Sequence, residues 1–323
     1  MGATNLIPGP NSTELAIHIG KEKGGWKGLL LAGSCFILPS VLITGIFAWL
    51  YKQYGQLPQV EPFVYGIKPA IIAIILAAIY PLGKQSLKSK ELAIVGILVF
   101  ALSFVVFNEI LLMFGAGFLF MLYASVKERK TLNSIFPLTL LQIPATAIAT
   151  ATSMNLFWIF LKIGAILYGS GYVLFAFLDT ELVSRGLLSR QQLIDAIAVG
   201  QFTPGPVTSS VTFIGYQING ISGALTSTFA VFLPSFIFVA LLNPFVKLMR
   251  NSKLFSSFLD AVNIASVALI VSICYTMGKE SITDWRTIVI AVISILLTFR
   301  YRKINTIFII LGGSVLGYLL TLV

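Results

Sequence analysis

Residues 8–13 read Pro8-Gly9-Pro10-Asn11-Ser12-Thr13, and residues 204–209 read Pro204-Gly205-Pro206-Val207-Thr208-Ser209. Each stretch leads through glycines into Leu-Pro-Ser, at Leu38-Pro39-Ser40 and Leu233-Pro234-Ser235. Downstream the copies keep one offset of 195 residues, since Gly20 aligns with Gly215, Gly28 with Gly223, Pro39 with Pro234 and Gly83 with Gly278. A constant offset marks an internal duplication, so both halves are expected to fold as one repeated unit.

The chain is 57% hydrophobic and 11% charged, with mean hydropathy +0.93. A soluble domain carries roughly 25% charged residues, so this is an integral membrane protein. Apolar runs of about 17 to 25 residues recur almost end to end and leave no room for a soluble or nucleic-acid-binding module. The formal charge of +10 therefore reflects loops rather than a nucleic-acid patch. Cys35, Cys274 and the single histidine, His18, are too few for a disulfide framework or a metal cluster, and no cofactor is expected. The first residues have no basic n-region, and Pro8 cuts the apolar stretch, so they do not read as a signal peptide.

Loop charge orients the halves. Lysine and arginine cluster at Lys21, Lys23 and Lys27, at Lys84, Lys88 and Lys90, and at Lys127, Arg129 and Lys130, alternating with poorly basic loops. With these clusters cytoplasmic, spans of roughly 28–50, 65–83, 92–107 and 109–125 follow. In the second copy the clusters fall at Lys247, Arg250 and Lys253 and at Arg300, Arg302 and Lys303. The phase has flipped, which predicts inverted halves and an odd number of crossings between Lys130 and Asn219. Three candidates are roughly 134–153, 155–178 and 191–216; the second places Arg185 and Arg190 in the cytoplasm, and the third, broken at Pro204, has the option of turning back. The expected fold is all-α and polytopic, with about 10–12 transmembrane segments in two inverted homologous halves and helices broken at the Pro-Gly-Pro motifs. Residues 1–126 form the first repeat, 127–154 a linker with a connecting helix, and 155–323 the second repeat. Only seven residues precede Pro8, against about fifty of helix and connector ahead of Pro204, so the first repeat is expected to be shortened at its start.

A proline at the first helical position costs nothing, because that N–H has no helical partner. Pro10 and Pro206 suit the position. Free backbone N–H groups then point out of each helix start, and Asn11, Ser12, Thr13, Thr208, Ser209 and Ser210 add polar groups. This is chemistry for an anion; the plainer reading is a kink for packing, as Pro39 and Pro234 would supply. Lys162 lies deep in an apolar run and requires a partner, either an anionic substrate or, by snorkelling, the interface. Gly169 and Gly171, in Tyr168-Gly169-Ser170-Gly171-Tyr172, mark a second expected helix break. Asp260, Lys68, and the pair Glu14 and His18, four residues apart on one helical face, are candidates for ion coupling, weighed against ordinary interfacial exposure. Glu109 reads as a loop residue. No phosphate loop and no Ser/His/Asp set appears, which argues against an ATP-driven pump or a membrane hydrolase.

Lys162-Ile163-Gly164, Gly169-Ser170-Gly171-Tyr172-Val173, Gly200-Gln201-Phe202-Thr203-Pro204-Gly205-Pro206 and Phe232-Leu233-Pro234-Ser235 resemble the signature of the chromate ion transporter family. The first half resembles the family's other domain through Pro8-Gly9-Pro10, Gly28 and Leu38-Pro39-Ser40, without the glycine-rich opening segment that usually precedes it. The resemblance implies a secondary transporter of two homologous halves that moves chromate, a sulfate-shaped dianion, out of the cytoplasm across the plasma membrane. Lys162, Thr203, Pro204, Gly205, Pro206, Thr208 and Ser209, with Pro8 to Thr13, are then the expected oxyanion cradle, and Gly169, Gly171, Pro39 and Pro234 the expected hinges. Expected partners are the oxyanion and the lipid bilayer, with a homodimer left open and no nucleic acid. The alternatives are a different anion, such as sulfate, and a partner-dependent or inactive membrane subunit.

Overall fold

The computed structural model describes residue 9 and residues 11–55, 57–106, 108–127, 153–301 and 304–322, the side chains of residues 11 and 242–251 excepted. Its regular elements are all helical: α1 Asn11–Tyr54, α2 Glu61–Ser86, α3 Lys90–Leu102, α4 Glu109–Lys127, α5 Ser153–Ile166, α6 Val173–Leu178, α7 Arg190–Phe202, α8 Ser210–Asn251, α9 Lys253–Ser281, α10 Trp285–Arg300 and α11 Thr306–Thr321. Five of these, α1, α2, α4, α8 and α9, are long and apolar enough to cross a bilayer. Exposed Leu30, Leu31, Leu42, Phe229, Leu241, Leu296 and Phe308 give the outer surface the apolar character lipid requires. The chain is a polytopic helical membrane protein.

Helix starts follow local chemistry. Ser89 accepts from the Leu92 N–H, and Ser189 with Gln192 and Asp284 with Thr287 form capping boxes. Small residues set the closest packing: the Gly66 Cα faces the Gly313 and Gly317 backbone where α2 meets α11, and Gly164 of α5 faces the Val231 carbonyl of α8. Phe160, Phe175, Phe177 and Phe213 fill the centre and are fully buried.

α1 and α8 are each two arms. Helical dihedrals fail at Gly24–Gly25 and at Asn219–Gly220, where Gly25 and Gly220 both adopt φ of 58° with ψ of −141° and −148°. That region is open essentially to glycine alone. The chain reverses there, because Gly20 packs on Gly28, and Gly215 on Gly223; eight residues of straight helix would hold them about 12 Å apart. Thr212 and Thr228, sixteen residues apart in sequence, share a hydrogen bond of 2.7 Å across the second reversal. Helical geometry continues through Pro39 and Pro234. The expected hinges at those prolines are absent, and the departures from helix sit at the glycines instead.

Side-chain pairs sort the helix ends. Lys88 meets Asp260 at 2.6 Å and Lys127 meets Glu91 at 3.2 Å, which gathers one end of the bundle. The other end holds Tyr65 with Asp284, Phe63 stacked on Tyr318, and Arg190 with Glu280. α7 and the first arm of α8 both lean on one stretch of α1: Tyr51 donates to Asp195 at 2.6 Å, Gln217 donates to the Ala48 carbonyl at 3.0 Å, and Lys52 covers the Tyr216 ring. So the chain goes in along α7, turns at Pro204–Pro206, and comes back to the same end. α5 starts there too, since Asn219 donates to Ser153 at 2.8 Å, and Lys162 pairs with Glu181 across the intervening break.

This corrects two expected crossings. Segments 155–178 and 191–216 both return to the end they left, where Arg190 meets Glu280. Helices of 14 and 13 residues span only about 20 Å, short of a hydrocarbon core of about 30 Å. The arginines there are matched by Glu181, Asp179 and Glu280, which weakens them as orientation signals. The remaining candidate, 134–153, lies outside the described residues up to its last residue, Ser153, and Lys130 lies outside them too.

Candidate functional site

Two chain breaks sit against each other's repeats. Gly9 and Gly205 hold φ of 140° and 139°, a region L side chains rarely adopt. A Cβ on Gly205 would stand 2.6 Å from the Ser40 Cβ, and one on Gly9 would stand 2.7 Å from the Ser235 Oγ. Each Pro-Gly-Pro glycine therefore meets the Leu-Pro-Ser serine of the other repeat. The connector 167–172 lies beside both: the Gly9 N–H donates to the Leu167 carbonyl at 2.6 Å, and Gly171 faces Val207. Gly169, with φ of 83°, supplies the break itself and faces Asn263 and Ser266 of α9.

At the second break the hydroxyls form a network. Ser40 donates to Ser209 at 2.7 Å and lies 3.2 Å from Thr203, and Thr44 approaches Ser209 at 3.4 Å. Thr203 also donates to the Gly200 carbonyl at 3.2 Å as α7 ends. Thr203, Thr208, Ser209 and Ser210 are buried, each at most 5% exposed. Three polar atoms here have no partner among the described residues, namely Thr208 Oγ1, Ser210 Oγ and Gln201 Nε2. An unpaired buried polar group costs about 1–3 kcal/mol. All three lie where one helix stops and the next begins.

The first break repeats the layout with other residues. Thr13, Glu14 and Ser235 are completely buried, and their side-chain oxygens have no partner among the described residues. Glu14 reaches the position a Cβ on Gly9 would occupy. Ser12 is exposed; Pro8, Pro10 and the Asn11 side chain lie outside what is described.

The other expected site residues are placed elsewhere or are paired. Lys162 is 2.5 Å from Glu181, which also meets Arg185 at 2.6 Å. Two cations and one carboxylate leave this trio one net positive charge. Asp260 is engaged by Lys88 and lines a cavity of about 100 Å³ with Gly169, Ser170, Asn263 and Ser266. Lys68 lies at a larger cavity of about 360 Å³ with Tyr51, Tyr65, Asp195 and Glu280, at the opposite end of the bundle. Glu109 opens α4 and accepts a hydrogen bond from Thr180, so it is no loop residue. Sequence reading missed Ser40, Thr44, Gln201 and Ser235 as site residues. The repeated Leu-Pro-Ser carried the signal for Ser40 and Ser235.

A model of the chromate transporter family matches residues 1–121 and 154–318. The chain belongs to the chromate transporter family. It is 29% identical to a chromate transport protein of Cupriavidus metallidurans, over 98% of this chain and 81% of that one. It is 31% identical to a probable chromate transport protein of Synechococcus elongatus, over 92% of this chain and 78% of that one. A chromate transport protein of Pseudomonas aeruginosa is 27% identical over 99% of this chain and 81% of its own length. No solved structure matches. Both breaks fall inside the matched segments of this family member.

Proposed function

We propose that this chain is a secondary transporter in the plasma membrane that binds chromate, or an oxyanion of the same shape such as sulfate, at the second break and exports it from the cytoplasm. The observation that carries the reading is the set of groups without a partner among the described residues, Gln201 where α7 ends and Thr208 and Ser210 where α8 begins. A tetrahedral oxyanion accepts several hydrogen bonds at once, and a helix start offers backbone N–H groups besides hydroxyls. Thr203 and Ser209 extend the cradle. Lys162 acts at a distance, through the net positive charge it forms with Arg185 and Glu181, rather than as a bare counter-ion.

The helix-end groupings support an inverted arrangement. The first arm of α1 runs from the first break toward the Lys88 end, where Lys21 donates to the Val239 and Ala240 carbonyls. The first arm of α8 runs from the second break toward the Tyr65 end. Two repeats of opposite direction around a shared midplane site are how secondary transporters alternate access. The two cavities, one reaching Lys88 and the other Lys68, are the vestibules this reading assigns to the two sides.

Reconstituted protein tests it. Chromate and sulfate should each bind and compete for uptake into proteoliposomes. Thr208→Val and Ser210→Ala should each weaken binding about tenfold, one lost hydrogen bond to a charged group, without lowering the thermal midpoint, because neither hydroxyl has a partner among the described residues to lose. Unchanged affinity in both variants removes the second break as the site. Absence of binding and flux for every oxyanion favours the reading of a partner-dependent subunit.

A further inference from the structure

We infer that the first break is a proton site, with the Glu14 carboxyl as the group that takes and releases the proton, so that oxyanion movement through the second break is coupled to protons. The inference rests on the proposed oxyanion function.

Three observations converge on Glu14. Its side chain is completely buried and neither carboxyl oxygen has a hydrogen-bond partner among the described residues. Among the described residues no ion pair reaches it, although Lys88, Lys127, Lys162, Arg185 and Arg190 are all engaged with other acids. An uncompensated carboxylate inside a membrane protein is far costlier than its protonated form, so the buried group holds a proton. The Gly9 N–H, which would otherwise serve an anion here, is committed to the Leu167 carbonyl. With Glu14 pressed on Gly9, an oxyanion at this break would meet a carboxyl beside the Thr13 and Ser235 hydroxyls. The second repeat has serine at the aligned place, Ser209 at an offset of 195 or Ser210 at the motif's own offset of 196. The duplicated frame thus carries a proton acceptor in one copy and anion donors in the other.

A route outward exists. Glu14, His18 and Glu22 follow at four-residue steps on one face of α1, so each lies one turn beyond the last. His18 Nε2 is 3.4 Å from Glu22, whose side chain is 61% exposed, while His18 Nδ1 is unpartnered. The groups facing Glu14 from neighbouring elements are few. The connector brings Tyr168 within electrostatic reach, α8 presents the uncharged Ser235, and Lys21 is turned to the Val239 and Ala240 carbonyls. Coupling has a physical link as well, since connector 167–172 bonds to Gly9 and packs on Val207 of the second break. Deprotonation leaves a negative charge beside that connector, and the chain must shift or readmit a proton before the charge is tolerated.

Proteoliposomes with sulfate as probe anion and the membrane potential clamped give the test. In the wild type one unit of pH gradient should shift the sulfate accumulation ratio about tenfold for each proton coupled. Glu14→Gln should abolish that dependence and Glu14→Asp should keep it. An infrared band of a protonated carboxyl, displaced in Glu14→Asp and missing in Glu14→Gln, should report the proton directly; its presence in wild type and displacement in Glu14→Asp decide the matter even where Glu14→Gln fails to insert. Sulfate accumulation that ignores the pH gradient, or follows a sodium gradient alone, overturns the inference while oxyanion transport stands. Gradient dependence surviving in Glu14→Gln overturns it too. Sulfate that neither binds nor moves in the wild type takes the underlying function with it.

Discussion

The two Pro-Gly-Pro breaks share a backbone and differ in their side chains. Gly9 and Gly205 agree in φ to within a degree, and each rests on the serine of the other repeat's Leu-Pro-Ser. Around that common frame the second break has a closed hydroxyl network, Ser40 with Ser209 and Thr203, plus unpartnered donors. Among the described residues the first has an unpartnered carboxyl and no such network, for Ser235 Oγ has no hydrogen-bond partner there. Duplication therefore preserved the geometry that opens the helix and let the chemistry inside it diverge. Backbone strain at a break is costly to rebuild, whereas a side chain pointing into it changes with one substitution.

The comparison can be broken first by topology, where the outcome is all or none. In a background without Cys35 and Cys274, cysteines placed at Lys23 and at Ile221, beside the two hairpin tips, should label from opposite membrane faces. Labelling from one face would end the inverted arrangement. Next in size is the backbone itself. Gly205→Ala should lower stability by about 3–4 kcal/mol, strain plus a collision with the stiff Ser40 Cβ, and Gly9→Ala by about 1–3 kcal/mol, since there the neighbour is the flexible end of Glu14. Thermal unfolding in detergent reads the difference; equal costs would mean the two frames are supported alike. Smallest is the serine pair. Ser40→Ala should cost about 1 kcal/mol by unlinking Ser209 and Thr203, while Ser235→Ala should cost nothing, as no hydrogen bond is lost. A destabilised Ser235→Ala would show that the first break holds a network of its own.

Much of this was legible from residues alone. The 195-residue offset, carried by the glycines at 20, 28, 215 and 223, and the apolar composition pointed to an internally repeated membrane protein. The hydroxyls after each Pro-Gly-Pro pointed to the breaks. Other features were hidden because they depend on partners distant in sequence. Lys162 reads as an unpaired charge until Glu181 folds back beside it, nineteen residues on. Arg185 and Arg190 read as cytoplasmic markers until their acids are seen. Pro39 and Pro234 read as hinges, yet the helices run through them and the adjoining serines carry the contact.

What the sequence determined by itself was composition and period: where apolar runs fall, and that one motif recurs at a constant offset. These are local or statistical properties of the chain. The tertiary structure alone decided which segments turn back inside the bundle, which charges cancel, and that each break is completed by the opposite repeat. Those outcomes depend on distances between residues as much as 226 positions apart, as with Gly9 and Ser235, and no local pattern encodes them. The divergence between Glu14 and its serine counterpart is written in the sequence, but its burial with no partner among the described residues is visible only in the tertiary structure.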